Sequence, residues 1–133
     1  MKSARDYYLD ENYNCAEATI RGANDSLGLG LDDKAMKLLS GCGGGMSCGM
    51  TCGVLCSYVA ALGELLTEEK GHLSPALKPG VSGFVKLFSE TFGGTDCRDL
   101  QPKYKREGIR CAVLVEDAQD LFARYVEDHG FGK

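Results

Sequence analysis

The sequence predicts an all-α protein, a compact bundle of about five to six helices with a glycine-rich turn before a central cysteine-bearing helix. Apolar residues recur three or four positions apart in the segments 54–66, 81–92 and 111–125, which is the spacing of helices with one buried face. Glycines and prolines separate these segments. No stretch alternates apolar and polar residues for long enough to indicate a sheet.

Length and composition favour one cysteine-rich domain over residues 1–133, because 133 residues with 44% hydrophobic content can form one core. A net charge of −4 and scattered basic residues argue against nucleic-acid binding. No apolar run resembles a signal peptide or could span a bilayer, so we expect a soluble, cytoplasmic protein without a membrane span. In a reducing compartment, seven cysteines favour metal-binding or reactive thiols over structural disulfides.

Residues 3–27 predict one long or kinked helix. Asn14 followed by Glu17 resembles a capping box, which would place Cys15 in the first turn of the second part. A helix N-terminus stabilises a thiolate, so this position predicts a lowered pKa for Cys15.

A short helix over residues 34–40 is predicted next, after the break at residues 28–30 and opened by Asp32 and Asp33. Its predicted buried side consists of Ala35, Met36, Leu38 and Leu39.

The triple glycine of Gly43, Gly44 and Gly45 allows the backbone to approach a ligand closely or to adopt positive φ angles. Together with Gly53, these residues are candidates for binding a cofactor. A phosphate-binding loop is one interpretation, although no predicted strand precedes it and the Lys-Ser/Thr ending is absent. A turn that only permits close packing is the alternative.

From Ser47 to about Leu66 the sequence predicts a buried helix, in which Cys48, Cys52 and Cys56 would form one stripe at i, i+4 and i+8. Neighbouring Cβ atoms in such a stripe are about 5–6 Å apart, whereas a relaxed disulfide requires about 3.5–4.5 Å. A metal ion or an iron-sulfur cluster spans that gap more easily.

Residues 67–80, which include His72, predict an exposed connection, and residues 81–92 a helix, with a strand as the alternative. Thr95 or Asp96 would cap the following helical turn and place Cys97 at its start. Residues 101–108 predict a charged loop.

Cys111 begins the last predicted helix, which is amphipathic and ends near residues 128–130. Its predicted buried face consists of Leu114, Ala118, Leu121, Phe122 and Tyr125.

Three cysteines, Cys15, Cys97 and Cys111, lie near predicted helix starts, where backbone N–H groups favour thiolates; Arg98 and Arg110 are adjacent cations. This placement predicts reactive or ligating thiols, with cysteines that only fill the core as the alternative. The chain contains no Cys-x-x-Cys pair and no ferredoxin spacing. The two histidines, His72 and His129, are interpreted as surface residues rather than partners of a cysteine nucleophile.

The chain resembles the C_GCAxxG_C_C family of redox-active proteins over nearly its whole length. The matching landmarks, in order, are residues 13–18 (YNCAEA), residues 43–46 followed by Cys52-Gly53 and residues 60–63, residues 92–100 (FGGTDCRDL), and Cys111. The resemblance implies that Cys15, Cys52, Cys97 and Cys111 are the four family cysteines. It further implies that they act together in redox chemistry or hold a prosthetic group such as an iron-sulfur cluster.

The chain departs from the family pattern after Cys52-Gly53, where Val54 replaces alanine and Ser57 replaces the final glycine. Three cysteines, Cys42, Cys48 and Cys56, are additional to the family four. The larger side chains would narrow a pocket, while the extra thiols would enrich a metal site, so the identity of the cofactor stays open.

Together these observations predict a helical redox protein that performs electron transfer or thiol–disulfide exchange, with an iron-sulfur cluster as the favoured cofactor. Its metal ligands would be the four family cysteines with Cys48 and Cys56, and Cys42 would lie behind them. The expected partner is a redox protein or a transporter or oxidoreductase system, and a homo-oligomer is compatible with the sequence. The alternatives are a thiolate module that binds or delivers zinc or copper, and a helical interaction domain. Whether the protein is an enzyme stays open.

Overall fold

The computed structural model describes residues 2–132, which contain seven α-helices and no β-strand. The all-α prediction is confirmed, with one helix more than expected. The helices are α1 (Ala4–Asp10), α2 (Cys15–Leu27), α3 (Asp33–Lys37), α4 (Gly53–Leu66), α5 (Leu77–Phe92), α6 (Cys97–Tyr104) and α7 (Ala112–His129). Among the described residues, no helix combines the length and the apolar character that a bilayer span requires.

The predicted first helix is two helices, because Asn12 takes a left-handed φ of 62° between them. The capping box predicted at the start of α2 is confirmed: the Asn14 side chain accepts from the Glu17 N–H, and the Glu17 side chain accepts from the Asn14 N–H. Helices α1 and α2 pack closely at Gly22, where a Cβ atom would lie 2.6 Å from the Ala4 nitrogen.

Helix α3 is shorter than predicted and is capped by the Asp32 side chain. Only Met36 of its predicted apolar face is buried, and Leu38 is 80% exposed. The chain leaves the α-helical path after Lys37, so Leu38 and Leu39 no longer follow the helical spacing on which that prediction rested. A 3-10 turn at Ser40–Cys42 follows.

Helix α4 begins six residues later than predicted, at Gly53 rather than Ser47. Met46 and Ser47 have positive φ angles of 61° and 62°, which interrupt a right-handed helix. Residues 45–49 instead form a turn closed by the Met50 N–H, which donates to the Gly45 carbonyl at 2.9 Å. The predicted stripe of Cys48, Cys52 and Cys56 on one helix face is therefore wrong.

Helices α5 and α6 both extend into segments that were predicted to be loops. Helix α5 begins at Leu77, inside the predicted connection, and ends as predicted at Gly93, whose φ is 87°. It accommodates Pro79 within its first turn, where an N–H has no partner within the helix. Helix α6 continues through Pro102 to Tyr104 and so occupies half of the predicted charged loop.

The core lies where α4, α5 and α7 meet. The Tyr58 ring stacks on Phe122 with 4.2 Å between ring centroids, and Phe84 meets Phe122 edge to face at 5.0 Å. The predicted apolar face of α7 is confirmed, with Leu121 only partly buried. The Tyr58 hydroxyl is buried and makes no hydrogen bond within the described residues.

We predict that Tyr58→Phe leaves the free energy of unfolding unchanged or raises it, because the variant removes an unsatisfied buried hydroxyl. A buried polar group without a partner costs about 1–3 kcal/mol. The matched control is Tyr125→Phe, which removes the hydroxyl that donates to the Gly80 carbonyl at 2.7 Å and should lower stability by about 0.5–1.5 kcal/mol. Urea titrations under reducing conditions measure both, and equal losses would contradict the prediction.

Candidate functional site

Four cysteines mark the starts of four helices. Cys15 and Cys97 are the first residues of α2 and α6, while Cys52 and Cys111 immediately precede α4 and α7. The predicted helix-start positions of Cys15, Cys97 and Cys111 are confirmed. Cys52, predicted within a helix, is at a helix start because of the turn at residues 45–49.

The four thiols lie close enough to influence one another electrostatically. Negative charge on Cys15 raises the pKa of both Cys52 and Cys111, and Cys97 raises the pKa of the other three. Cys52 and Cys97 are buried, Cys15 and Cys111 are partly exposed, and all are free thiols. The fold therefore brings together residues that are far apart in sequence.

Two backbone hydrogen bonds hold the starts of α4 and α6 side by side. The Cys52 N–H donates to the Thr95 carbonyl at 2.8 Å, and the Cys97 N–H donates to the Met50 carbonyl at 2.6 Å. Between them, Thr51 pairs with Asp96 as an isolated antiparallel bridge. This short pairing fixes Cys52 and Cys97 relative to each other through the main chain.

Two of the predicted cofactor-binding glycines adjoin the thiols. A Cβ atom on Gly45, whose φ is +67°, would lie 2.6 Å from the Cys97 Cβ, and one on Gly53 would lie 2.9 Å from the Cys15 sulfur. A Cβ on Gly43 would meet the Asn14 side chain at 2.6 Å. Close packing, the alternative left open by the sequence, accounts for these three positions, and cofactor binding stays a prediction.

Burial dominates the titration of the site. The predicted lowering of the Cys15 pKa is wrong: burial raises it and outweighs the N–H groups of Gly44 and Ala16, which act in the opposite direction. Burial and then the charge of Cys15 raise the pKa of Cys52 to about 12. Cys15 and Cys52 are consequently held in their neutral thiol forms.

Cys111 is partly exposed and has basic neighbours. Burial, followed by the charges of Cys15 and Cys97, raises its pKa, whereas Lys105 and Arg110 act to lower it. Arg110 has a left-handed φ of 53°. Lys105 and Arg110 therefore favour the ionised form of this accessible thiol.

Tyr8 of α1 contacts both Cys111 and Arg110. Its hydroxyl accepts from the Cys111 N–H at 3.2 Å, its carbonyl accepts from the Arg110 side chain at 3.0 Å, and the guanidinium carbon lies 4.3 Å from its ring centroid. Sequence analysis missed Tyr8, because a contact between positions about 100 residues apart leaves no local pattern. Arg98, predicted as a cation beside Cys97, approaches the Asp96 carboxylate at 3.6 Å.

The remaining cysteines separate into a pair and a single exposed thiol. Cys56 lies one turn after Cys52 in α4, with its sulfur 4.0 Å from the Thr51 carbonyl oxygen. Burial, followed by the charge and side-chain hydrogen bonding of the neighbouring Cys42, raises the pKa of Cys56 to about 11. Cys48 is exposed in the turn, with its sulfur 3.6 Å from the Gly45 carbonyl oxygen. Sequence analysis assigned Cys42 only a peripheral position and did not predict its pairing with Cys56.

Across residues 2–132, no group of three or more His, Cys, Asp or Glu side chains is arranged to hold a metal ion. Thiolates are suitable donors for iron-sulfur clusters and zinc, but the present side-chain positions do not form such a ligand group. Metal binding by Cys15, Cys48, Cys52, Cys56, Cys97 and Cys111 stays a prediction.

A cavity of about 770 Å³ lies between α5 and α7, and no cysteine lines it. His129 lines this cavity and packs between the rings of Tyr125 and Phe131. His72 lies in an exposed 3-10 turn at Gly71–Leu73. The cysteine cluster, rather than this cavity, is therefore the part of the molecule that concentrates reactive groups.

Comparison with known proteins gives one match. The family model described as "Putative redox-active protein (C_GCAxxG_C_C)" matches residues 13–125, which include all seven cysteines. Searches of curated proteins and of solved structures each gave no significant match.

We predict that Gly53→Ala lowers the free energy of unfolding of the reduced protein by about 1–3 kcal/mol, the usual cost of overpacking. The new Cβ would lie 2.9 Å from the Cys15 sulfur and 2.8 Å from the Cys42 carbonyl oxygen. Gly63→Ala, in the same helix but with open space around its Cβ position, should raise stability by up to about 1 kcal/mol. Urea denaturation measures the free energy of unfolding of both variants. A Gly53→Ala variant as stable as the wild type would contradict the close packing at Gly53.

We also predict that the reduced protein loses stability as the pH rises above 9. The pKa of Cys52 is raised from 9.0 to about 12, so the folded state holds this proton more tightly. The contribution of this proton to the free energy of unfolding is complete below pH 9, and about 1 kcal/mol of it is lost by pH 10.

The pH dependence is measured by urea denaturation at pH 7 and pH 10. Cys52→Ser should reduce the loss between these two pH values, whereas Cys48→Ser, a change at an exposed thiol, should not. An unchanged loss in Cys52→Ser would show that Cys52 ionises normally.

Proposed function

This chain belongs to the C_GCAxxG_C_C family of redox-active proteins, and we propose that its four helix-start cysteines perform thiol–disulfide exchange. The observation that carries this proposal is the central position of Cys15. It interacts electrostatically with Cys52, Cys97 and Cys111. Thiols that act on one another in this way are candidates for disulfide formation once their Cβ atoms approach to about 3.5–4.5 Å.

Cys111 is the proposed point of attack on a partner's disulfide. It is partly exposed, and Lys105 and Arg110 favour its thiolate. The thiolate attacks one sulfur of the partner's disulfide, which forms a mixed disulfide and releases one partner thiolate. The first step thus requires only the thiol that is both accessible and close to positive charge.

Cys15 is the proposed resolving thiol. The N–H groups of Gly44 and Ala16 stabilise its thiolate, which attacks the Cys111 sulfur and releases the second partner thiolate. The protein is left with a Cys15–Cys111 disulfide. Two electrons pass to the partner, and the two cysteines give up their two protons.

Oxidation of this pair changes the environment of the two buried thiols. A sulfur in a disulfide carries no negative charge, so Cys15 no longer opposes the ionisation of Cys52. Since the charge of Cys15 is the second-largest cause of the raised pKa of Cys52, Cys52 ionises more readily in the oxidised protein. Cys52 and Cys97 are the second proposed pair. They exchange with the Cys15–Cys111 disulfide by thiol–disulfide exchange, which forms a Cys52–Cys97 disulfide and returns Cys15 and Cys111 to thiols.

The test is disulfide mapping after the reduced protein reacts with one equivalent of glutathione disulfide. We expect a Cys15–Cys111 disulfide in the wild type and in the control Cys48→Ser, because Cys48 is an exposed thiol held in a separate turn. Cys15→Ser should stop at glutathione attached to Cys111. Failure of the Cys15–Cys111 disulfide to form at any time after mixing, in the wild type or in Cys48→Ser, would contradict the proposal.

An iron-sulfur cluster held by Cys15, Cys52, Cys97 and Cys111 is the second candidate, and it would supply one-electron transfer. It is favoured by the N–H groups that face two of the sulfurs, those of Gly44 and Ala16 at Cys15 and those of Val54 and Leu55 at Cys52. Such hydrogen bonds are one means of tuning cluster potentials. The thiols would have to move together from their present positions to bind it.

Anaerobic purification distinguishes the two candidates. Broad visible absorption with iron and acid-labile sulfide, lost in Cys97→Ser but retained in Cys48→Ser, would establish the cluster. Stoichiometric zinc or copper(I) without redox activity would instead favour a metal-delivery module. Metal-free protein that forms the mapped disulfide would establish thiol exchange.

A further inference from the structure

Cys42 and Cys56 form a thiol pair outside the four helix-start cysteines. The Cys42 carbonyl oxygen lies 2.8 Å from the position of a Cβ atom on Gly53, and Cys56 follows Gly53 by three residues on the same face of α4. The charge and side-chain hydrogen bonding of Cys42 act on Cys56, and both residues are partly exposed. Their backbones are anchored, since the Cys42 N–H donates to the Leu39 carbonyl and the Cys56 N–H to the Cys52 carbonyl, each at 3.0 Å. A relaxed disulfide between these neighbouring residues requires their Cβ atoms to approach to about 3.5–4.5 Å.

This pair adjoins the central thiol of the site. Gly53 has no side chain, and both the Cys42 carbonyl oxygen and the Cys15 sulfur occupy the space beside it, 2.8 Å and 2.9 Å from the position of a Cβ atom. Negative charge on Cys15 also acts on Cys56. Cys56 therefore has two neighbouring cysteines, Cys42 and Cys15.

We propose that Cys42 and Cys56 are a second redox-active dithiol that takes over the disulfide formed at Cys15. This inference rests on the proposed function, because the oxidant is the Cys15–Cys111 disulfide itself. It assigns a role to two cysteines that are additional to the family pattern.

The transfer consists of two exchange reactions. The Cys56 thiolate attacks the Cys15 sulfur, which forms a Cys15–Cys56 disulfide and releases the Cys111 thiolate. The Cys42 thiolate then attacks the Cys56 sulfur, which leaves a Cys42–Cys56 disulfide and releases the Cys15 thiolate. Cys42 and Cys56 lose two protons, Cys15 and Cys111 gain two, and no electron leaves the protein.

The consequence of the transfer is that the four-cysteine site returns to its reduced form. It can then react with a further disulfide while the first oxidation is retained at Cys42 and Cys56. The pair therefore increases the number of electrons that one chain can donate before it must be reduced again.

The experiment follows the order in which disulfides appear after one equivalent of glutathione disulfide is added to the reduced protein. Samples are quenched in acid, alkylated, and mapped by mass spectrometry. In the wild type and the control Cys48→Ser, we expect the Cys15–Cys111 disulfide to appear first and to decline as Cys42–Cys56 rises. Simultaneous appearance of the two disulfides, or no Cys42–Cys56 disulfide, would overturn the inference.

Variants identify the intermediate. Cys42→Ser should accumulate the Cys15–Cys56 disulfide, and Cys56→Ser should retain Cys15–Cys111. In Cys15→Ser the Cys42–Cys56 disulfide should form at least about tenfold more slowly, because only direct attack on glutathione disulfide remains. Formation at the wild-type rate would overturn the transfer. The wild-type time course does not depend on how well any variant folds.

Failure of the proposed function gives a different result from failure of this inference. If Cys15 and Cys111 never form a disulfide while Cys42 and Cys56 do, both in the wild type and in Cys15→Ser, the proposed function and the transfer both fail. If Cys15–Cys111 forms and persists, only the transfer fails.

Discussion

The backbone pairing between residues 50–52 and 95–97 is the constraint on which the cysteine site depends. It joins the starts of α4 and α6 through two main-chain hydrogen bonds, so the spacing of Cys52 and Cys97 does not depend on side-chain packing alone. The pairing requires Gly45, because any side chain there would collide with Met50 and Cys97. The glycine-rich segment therefore acts mainly through close approach of the backbone, and that approach is what allows thiols from separate helices to meet.

Burial and helix geometry act in opposite directions on these thiols. Each of the four lies at a helix start, where N–H groups favour a thiolate, yet burial raises the pKa of Cys15, Cys52 and Cys111. Desolvation is the largest cause at each of these three thiols, and repulsion between charged sulfurs adds to it. At Cys111, Lys105 and Arg110 act against these two effects.

Much of the fold could be predicted because it depends on local patterns. Helical periodicity identified the buried face of α7, and the Asn14–Glu17 spacing identified the start of α2. The start of α4 could not be predicted, since Met46 and Ser47 adopt left-handed conformations that their residue types do not indicate. The partnership of Cys42 with Cys56 and that of Tyr8 with Cys111 depend on tertiary packing, which local periodicity does not record.

Helix starts that are distant in sequence but adjacent in space link redox state to folding. A disulfide between Cys15 and Cys111 would close a loop of about 100 residues, for which the chain-entropy model gives about 4.7 kcal/mol of stabilisation. By thermodynamic linkage, whatever free energy the disulfide adds to the fold, the fold adds to the disulfide. The reduction potential of the site is therefore linked to the difference in stability between the oxidised and the reduced bundle. A substitution that destabilises the oxidised fold more than the reduced fold would make such a disulfide easier to reduce, whereas one that destabilises both equally would leave the reduction potential of the folded protein unchanged.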